Sequence, residues 1–207
     1  MTGSAAERRE GLVEVFHEAR GCTRCALSES RTQVVFGSGD ADADLMLVGE
    51  APGADEDHQG LPFVGRSGAL LTRLLAEAGL PREEVFIANT LKCRPPANRD
   101  PLASEVETCH PWLQEQIRLI EPRYIATLGN FATKLLTGDP TGITKVHGQP
   151  RPRRFGDREV TVYPLFHPAA ALRSTGVAEQ LRADIERLAE LVRDGDGGSG
   201  DRSGPGP

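Results

Sequence analysis

The chain has 207 residues, 38% of them hydrophobic and 5% aromatic, with 24 basic residues against 30 acidic and a net charge of −6. That length supplies one ordinary core and too little for two, and the acidic balance argues against a protein that coats nucleic acid by charge alone. Four cysteines are too few for a disulfide scaffold of this size. No apolar run approaches the roughly 18 residues that a membrane span needs, and Met1–Arg20 lacks the apolar stretch of a secretory signal, so the expectation is a cytoplasmic protein with no membrane partner.

No linker or repeat divides the chain, which reads as a single domain over 1–194 followed by a disordered Gly/Asp/Ser/Pro tail over 195–207. Four short apolar runs predict strands: Asp44–Val48, Val85–Ala88, Tyr124–Leu128 and Val160–Phe166. Each is nearly continuous in apolar residues, the pattern of parallel strands covered on both faces. Between them lie helical periods. Leu70, Leu71, Leu74, Leu75 and Ala78 mark one helix, stopped by Gly79 and Pro81. Val106, Trp112, Leu113, Ile117 and Ile120 mark a second, Phe131, Leu135 and Leu136 a third, and Leu181, Ile185, Leu188 and Leu191 a fourth. This alternation predicts an α/β fold with a parallel sheet and helices on both faces.

Ligands of such sheets sit at the carboxyl ends of the strands. Gly49-Glu-Ala-Pro-Gly-Ala-Asp-Glu-Asp57 follows the first strand, Asn89-Thr90 the second, Gly129-Asn130 the third and His167-Pro168 the fourth. Carboxylates, amides and an imidazole are thereby predicted to converge on one rim. Taken singly, each has a plainer reading, with Asn89 and Asn130 as helix caps and His167 as a turn residue.

Cys22 and Cys25 form one close pair, and Cys93 and Cys109 flank the proline-rich stretch Arg94-Pro-Pro-Ala-Asn-Arg-Asp-Pro101. Four thiols from three segments suit either a tetrahedral zinc or a cubane iron–sulfur cluster. The spacing leaves both open, beside a third reading of four unrelated buried thiols.

Three motifs taken together, Gly49–Asp57, Asn89-Thr-Leu-Lys-Cys-Arg-Pro-Pro96 with Asn98-Arg-Asp-Pro101, and His167-Pro-Ala-Ala-Ala-Leu172, resemble the family 4 uracil-DNA glycosylases. The resemblance runs from about Cys22 to Leu191 and includes the family's four-cysteine pattern. It implies a three-layer α/β/α sandwich around a four-stranded parallel sheet, and a 4Fe–4S cluster on Cys22, Cys25, Cys93 and Cys109. It also implies hydrolysis of the N-glycosidic bond of uracil in DNA by a monomer. Phe63 is implied to stack on uracil, with Asn89 and the backbone near Ala51 touching the base edge and His167 close to O2. Glu50 and Glu56 are the implied carboxylates for the attacking water and the sugar cation. Breaking that bond leaves an anionic base and an oxocarbenium-like sugar, so donors are needed on one side and negative charge on the other.

For DNA contact, the stretch Lys145–Arg158 gathers five basic residues against Asp157, with His147 in addition. It is predicted to lie near the pocket mouth, where a phosphate contact by Lys145 or His147 would follow; through His147, affinity would then change between about pH 6 and 8. Arg66 and Ser67 open the leucine-rich helix, whose free N–H groups are a second phosphate site. Leu172 or Arg173 is the candidate wedge that fills the space of a flipped base.

Two rival readings remain at this stage. One is an iron–sulfur module that binds DNA or accompanies a polymerase without catalysis. The other is covalent capture of the abasic sugar by a histidine. The capturing relatives carry a histidine before the last cysteine, and here Arg94–Thr108 has none.

Overall fold

The computed structural model describes residues 4–196. Nine α-helices and six strands are found among them. In chain order they are α1 (Ala5–Arg20), α2 (Leu27–Ser30), β1 (Ser38–Gly39), β2 (Leu45–Gly49), α3 (Ala54–Gln59), α4 (Arg66–Glu77), β3 (Phe86–Asn89) and α5 (Ala103–Ile120). There follow β4 (Tyr124–Leu128), α6 (Asn130–Thr137), α7 (Ile143–Val146), β5 (Arg151–Phe155), β6 (Arg158–Leu165), α8 (Pro168–Ala171) and α9 (Thr175–Asp196).

The sheet has the order β1-β3-β2-β4-β6-β5. Its four central strands are parallel, with Val48 opposite Ala88 on one side and Thr127 on the other, and Leu128 opposite Leu165. These are the four strands predicted from the apolar runs. The sheet nonetheless has six strands and not four. The short β1 and the hairpin strand β5 pair antiparallel at its two edges. Their residues alternate between half-buried and exposed, so neither carries the continuous apolar signal of a covered strand. Pro152 inside β5 is tolerated because an edge strand need not donate on both sides.

The period of two in β2 divides the core. Met46 and Val48 pack with Leu12, Trp112, Leu113 and Ile117, beneath α1 and α5. Leu45 and Leu47 pack with Leu71, Leu75, Leu181 and Leu188, beneath α4 and α9. The result is a three-layer α/β/α sandwich. The helix α1 has no counterpart among the predicted elements: it buries only Leu12 and Ala19, too few for a period to stand out, and a Ser4/Glu7 capping box starts it. At the other end α9 continues to Asp196, past Gly195 where the tail was expected to begin; the rest of that tail lies outside the described residues. No helix among the described residues is long and apolar enough to cross a membrane.

Candidate functional site

The carboxyl ends of β2, β3 and β6 border a cavity of about 420 Å³. Its walls include Glu50, Ala51, Phe63, Asn89 and His167. Sequence reasoning named all five. Asn89, the last residue of β3, is 2% exposed, and its Oδ1 is buried with no hydrogen-bond partner. A buried acceptor left unpaired is costly, so this atom marks where a donor is missing.

Phe63 is buried in the α3–α4 loop with φ +51°, a left-handed conformation that a residue with a bulky side chain seldom adopts. Three features hold it there. The Arg82 guanidinium donates to the Phe63 carbonyl at 2.9 Å and also to that of Pro62. Gly68 lies so close to the Phe63 backbone that a Cβ there would collide with its carbonyl. Glu56 accepts from Val64 and Gly65 N–H at 3.2 Å through one oxygen and from Gly53 N–H at 3.1 Å through the other. One carboxylate oxygen of Glu56 thus holds the turn that carries Phe63 and the other caps α3, while the side chain also lines the cavity.

His167 caps the short helix α8, and its Nδ1 accepts from Ala169 N–H at 3.1 Å. This assigns the hydrogen of the neutral ring to Nε2. Burial lowers its pKa, with Glu56 pulling the other way, so the neutral form dominates at physiological pH. The ring lies 5.8 Å from that of Phe63. Gly129, with φ +92°, leaves room for it, since a Cβ there would meet the His167 Cβ at 3.0 Å. Glu50 is half-buried, and its pKa is raised by burial and then by the charge of Asp100.

Among the wall residues that the sequence did not single out are Pro95, Asn98 and Arg99. They come from the loop between Cys93 and Cys109. Arg99 makes a bidentate pair with the buried Glu105 of α5, at 2.6 and 2.9 Å, which fixes the loop against the cavity. The Asn-Arg-Asp-Pro run was visible in the sequence, and what it lacked was a reason to place it at the rim. The other predicted amide, Asn130, does not reach the cavity; its Oδ1 accepts from Ile143 N–H at 3.1 Å and joins α6 to α7.

The expected DNA contacts fall in different places. Ser67 lines the cavity and Arg66 beside it is exposed. Leu172 is 42% exposed at the end of α8, followed by exposed Arg173. Lys145 is exposed on α7, whereas His147 directs Nδ1 to the buried Asp184 at 2.6 Å and packs its ring on Phe166. The arginines of the basic stretch are not at the mouth as a group. They lie on the β5–β6 hairpin, whose turn is at the opposite end of the sheet, because Phe155 pairs with Arg158 at the start of β6. Arg151 pairs with Asp139 and Arg158 with Glu121.

All four cysteines are free thiols, and all four line one small cavity together with Arg31, Lys92 and Trp112. Arg31 reaches Cys93 Sγ at 3.4 Å, and the Lys92 backbone N–H reaches Cys109 Sγ at 3.3 Å. Such donors stabilise sulfur that carries negative charge. Burial pushes the Cys93 thiol up to about 11 and raises that of Cys109, so a bound cationic centre is what would deprotonate them. In chemical kind, four thiols with N–H donors on two of the sulfurs, the donor set suits a thiolate-bound metal cluster. Among the described residues, no group of three or more His, Cys, Asp and Glu side chains is arranged to hold a metal ion.

Comparison with known proteins agrees with this geometry. The family model described as the uracil DNA glycosylase superfamily matches residues 36–191. A type-4 uracil-DNA glycosylase of Sulfurisphaera tokodaii is 42% identical over 188 residues, covering 88% of this chain and 86% of the relative. The type-4 enzyme of Archaeoglobus fulgidus is 41% identical over 186 residues, with coverage of 88% and 94%. That of Thermotoga maritima is 42% identical over 189 residues, with coverage of 89% and 97%. With its sandwich, its rim of Glu50, Asn89 and His167, and this likeness over nearly its whole length, the chain belongs to the uracil-DNA glycosylase superfamily, in the company of the type-4 enzymes.

Proposed function

We propose that this protein hydrolyses the N-glycosidic bond of uracil in DNA and leaves an abasic site, acting as a cytoplasmic monomer. The observation that carries the reading is the Asn89 side chain in the cavity wall, buried and with its Oδ1 unpaired, beside Phe63 and His167. Uracil offers N3–H as donor and O4 as acceptor, and a side-chain amide carries the complement of both. Cytosine inverts that pattern and would leave the buried amide unpaired, which is how such a site rejects it. The base must leave the stack to be reached, and the Phe63 ring supplies the aromatic face that replaces its neighbours.

As the bond breaks, negative charge grows on the base. The Nε2–H of His167, fixed by the bond at Nδ1, is the donor we assign to O2. Positive charge grows on the sugar, and Glu50 is the carboxylate we assign to it and to the attacking water. Glu56 supports Phe63 from below. Ser67, Arg66, Lys145, Leu172 and Arg173 are assigned to the DNA, the first three at phosphates and Leu172 or Arg173 as the wedge. His147 is assigned to phosphate only through the ring edge not bonded to Asp184.

Cys22, Cys25, Cys93 and Cys109 are assigned to a 4Fe–4S cluster. When bound, that group cross-links the N-terminal segment to the loop that carries Pro95, Asn98 and Arg99 into the pocket wall. The experiment is a uracil-release assay on brown, cluster-bearing protein with a uracil-containing oligonucleotide. Wild type releases free uracil and leaves an alkali-labile site, and Asn89→Ala loses at least about 100-fold in rate. Equal release by both proteins, or none by wild type, overturns the reading.

A further inference from the structure

One buried cation has no part in the chemistry above. Lys92 is 2% exposed. Its Nζ donates to the Asn89 carbonyl at 2.8 Å and to Gln116 Oε1 at 2.6 Å. Both acceptors are neutral. A methionine could fill the same volume without the desolvation of an ammonium, so packing alone does not account for a lysine here. Its position suggests what does. The residue stands between two cavities: its side chain grips the residue assigned to the base, while its backbone N–H bonds Cys109 Sγ and it lines the cysteine cavity.

The surrounding bonds make this segment stiff. Thr90 and Leu91 N–H donate to the carbonyls of Gly49 and Glu50, at 2.9 and 3.0 Å. Val35 N–H donates to the Lys92 carbonyl at 2.8 Å. Gln116 in turn donates through Nε2 to the Phe36 carbonyl at 2.8 Å, and the ammonium sits 5.9 Å from the centre of the Phe36 ring. Gln116 is therefore held by α5 on one side and by the Phe36 backbone on the other, and it presents a fixed acceptor to Lys92. Asn89, Lys92, Gln116 and Phe36 are all buried.

We propose that Lys92 is a positioning residue for base selection: its ammonium fixes the backbone of Asn89 from beneath and ties the orientation of that amide to the cysteine-lined cavity. The proposal rests on the uracil-reading role assigned to Asn89. An amide that must distinguish N3–H and O4 of uracil from the inverted pair of cytosine tolerates little displacement, and holding the backbone carbonyl of the same residue fixes the Cα–Cβ direction from which that amide projects.

The test measures selectivity, not turnover. Holoprotein is titrated with an oligonucleotide carrying one 2′-fluoro-2′-deoxyuridine, which resists cleavage, with the 2′-fluoro-2′-deoxycytidine equivalent, and with undamaged DNA. Visible absorbance per protein is recorded alongside. Lys92→Met is expected to lower the uracil-over-cytosine affinity ratio about tenfold, while affinity for undamaged DNA stays within about twofold and the absorbance is retained. Gln116→Leu, which removes one acceptor and keeps the lysine, shifts the ratio in the same direction by less. A ratio unchanged in both variants overturns the proposal. So does loss of the absorbance in both, which would assign Lys92 to the cysteine cavity alone. A wild-type ratio of one removes the uracil reading itself, a failure distinct from that of Lys92.

Discussion

At the carboxyl ends of the parallel strands the chain leaves groups available to a ligand: Glu50 half-buried, the Asn89 Oδ1 without a partner, His167 neutral with its Nδ1 alone engaged. At the amino ends it does the reverse. There the β5–β6 hairpin and its neighbours are dense in arginine, and the charges are answered locally, Arg158 by Glu121 and Arg8 by Asp42. The first region has chemistry to offer a ligand, and the second has spent its charge on the fold. Counting basic residues along the sequence points to the second region; following the strands to their carboxyl ends points to the first.

The contrast can be broken by substitution. The largest effect is expected from His167→Ala, a loss of about 10²–10³ in kcat for uracil release, the usual cost of removing one aimed donor; a change under tenfold would deny His167 that role. Next comes Phe63→Ala. A base stacked on an aromatic ring gains about 1–3 kcal/mol, so affinity for uracil-containing DNA falls roughly tenfold or more while that for undamaged DNA holds. A parallel fall in both would place Phe63 in the core alone. At the other end of the sheet, Arg154→Ala is expected to leave DNA affinity within about twofold and its salt slope unchanged; a slope reduced by about one would return the hairpin to the DNA interface.

The smallest effect is one of stability. Burial raises the Glu50 pKa, so the fold favours the protonated acid more than the unfolded chain does. Stability from this group is present below its ordinary value of about 4.3 and is lost as pH rises through the raised value. Glu50→Gln therefore raises Tm slightly at pH 7, with the gain vanishing near pH 4, even as uracil release falls. A variant less stable than wild type at pH 7 would contradict this.

The central strands, the helices α4, α5, α6 and α9, and Glu50, Asn89 and His167 were legible in the sequence, because covered strands read as apolar runs and their carboxyl ends are fixed by topology, whereas Phe63 and Ala51 came from the family resemblance alone. The rest was not legible, for physical reasons. The strand β5 reads Arg-Pro-Arg-Arg-Phe, and only its pairing with β6 makes it a strand. Glu56 reads in the sequence only as a carboxylate near the rim, and the three backbone N–H groups that it accepts from come into view only with the fold. Asn98 and Arg99 reach the cavity because Glu105, in the next helix, holds Arg99. Each of these depends on a partner that spacing alone does not nominate.

Gly49 carries a consequence for heredity. A Cβ on this residue would stand 2.6 Å from the Phe63 ring and would also collide with the Asn89 Oδ1, so both groups assigned to the base occupy space that only glycine leaves free. Almost any missense change in its codon, alanine included, displaces the two together. The core strand around it, Leu45–Val48, is otherwise intact and buried. A lineage carrying such an allele would lose its repair function in one step, an event that a mutation-rate assay would register.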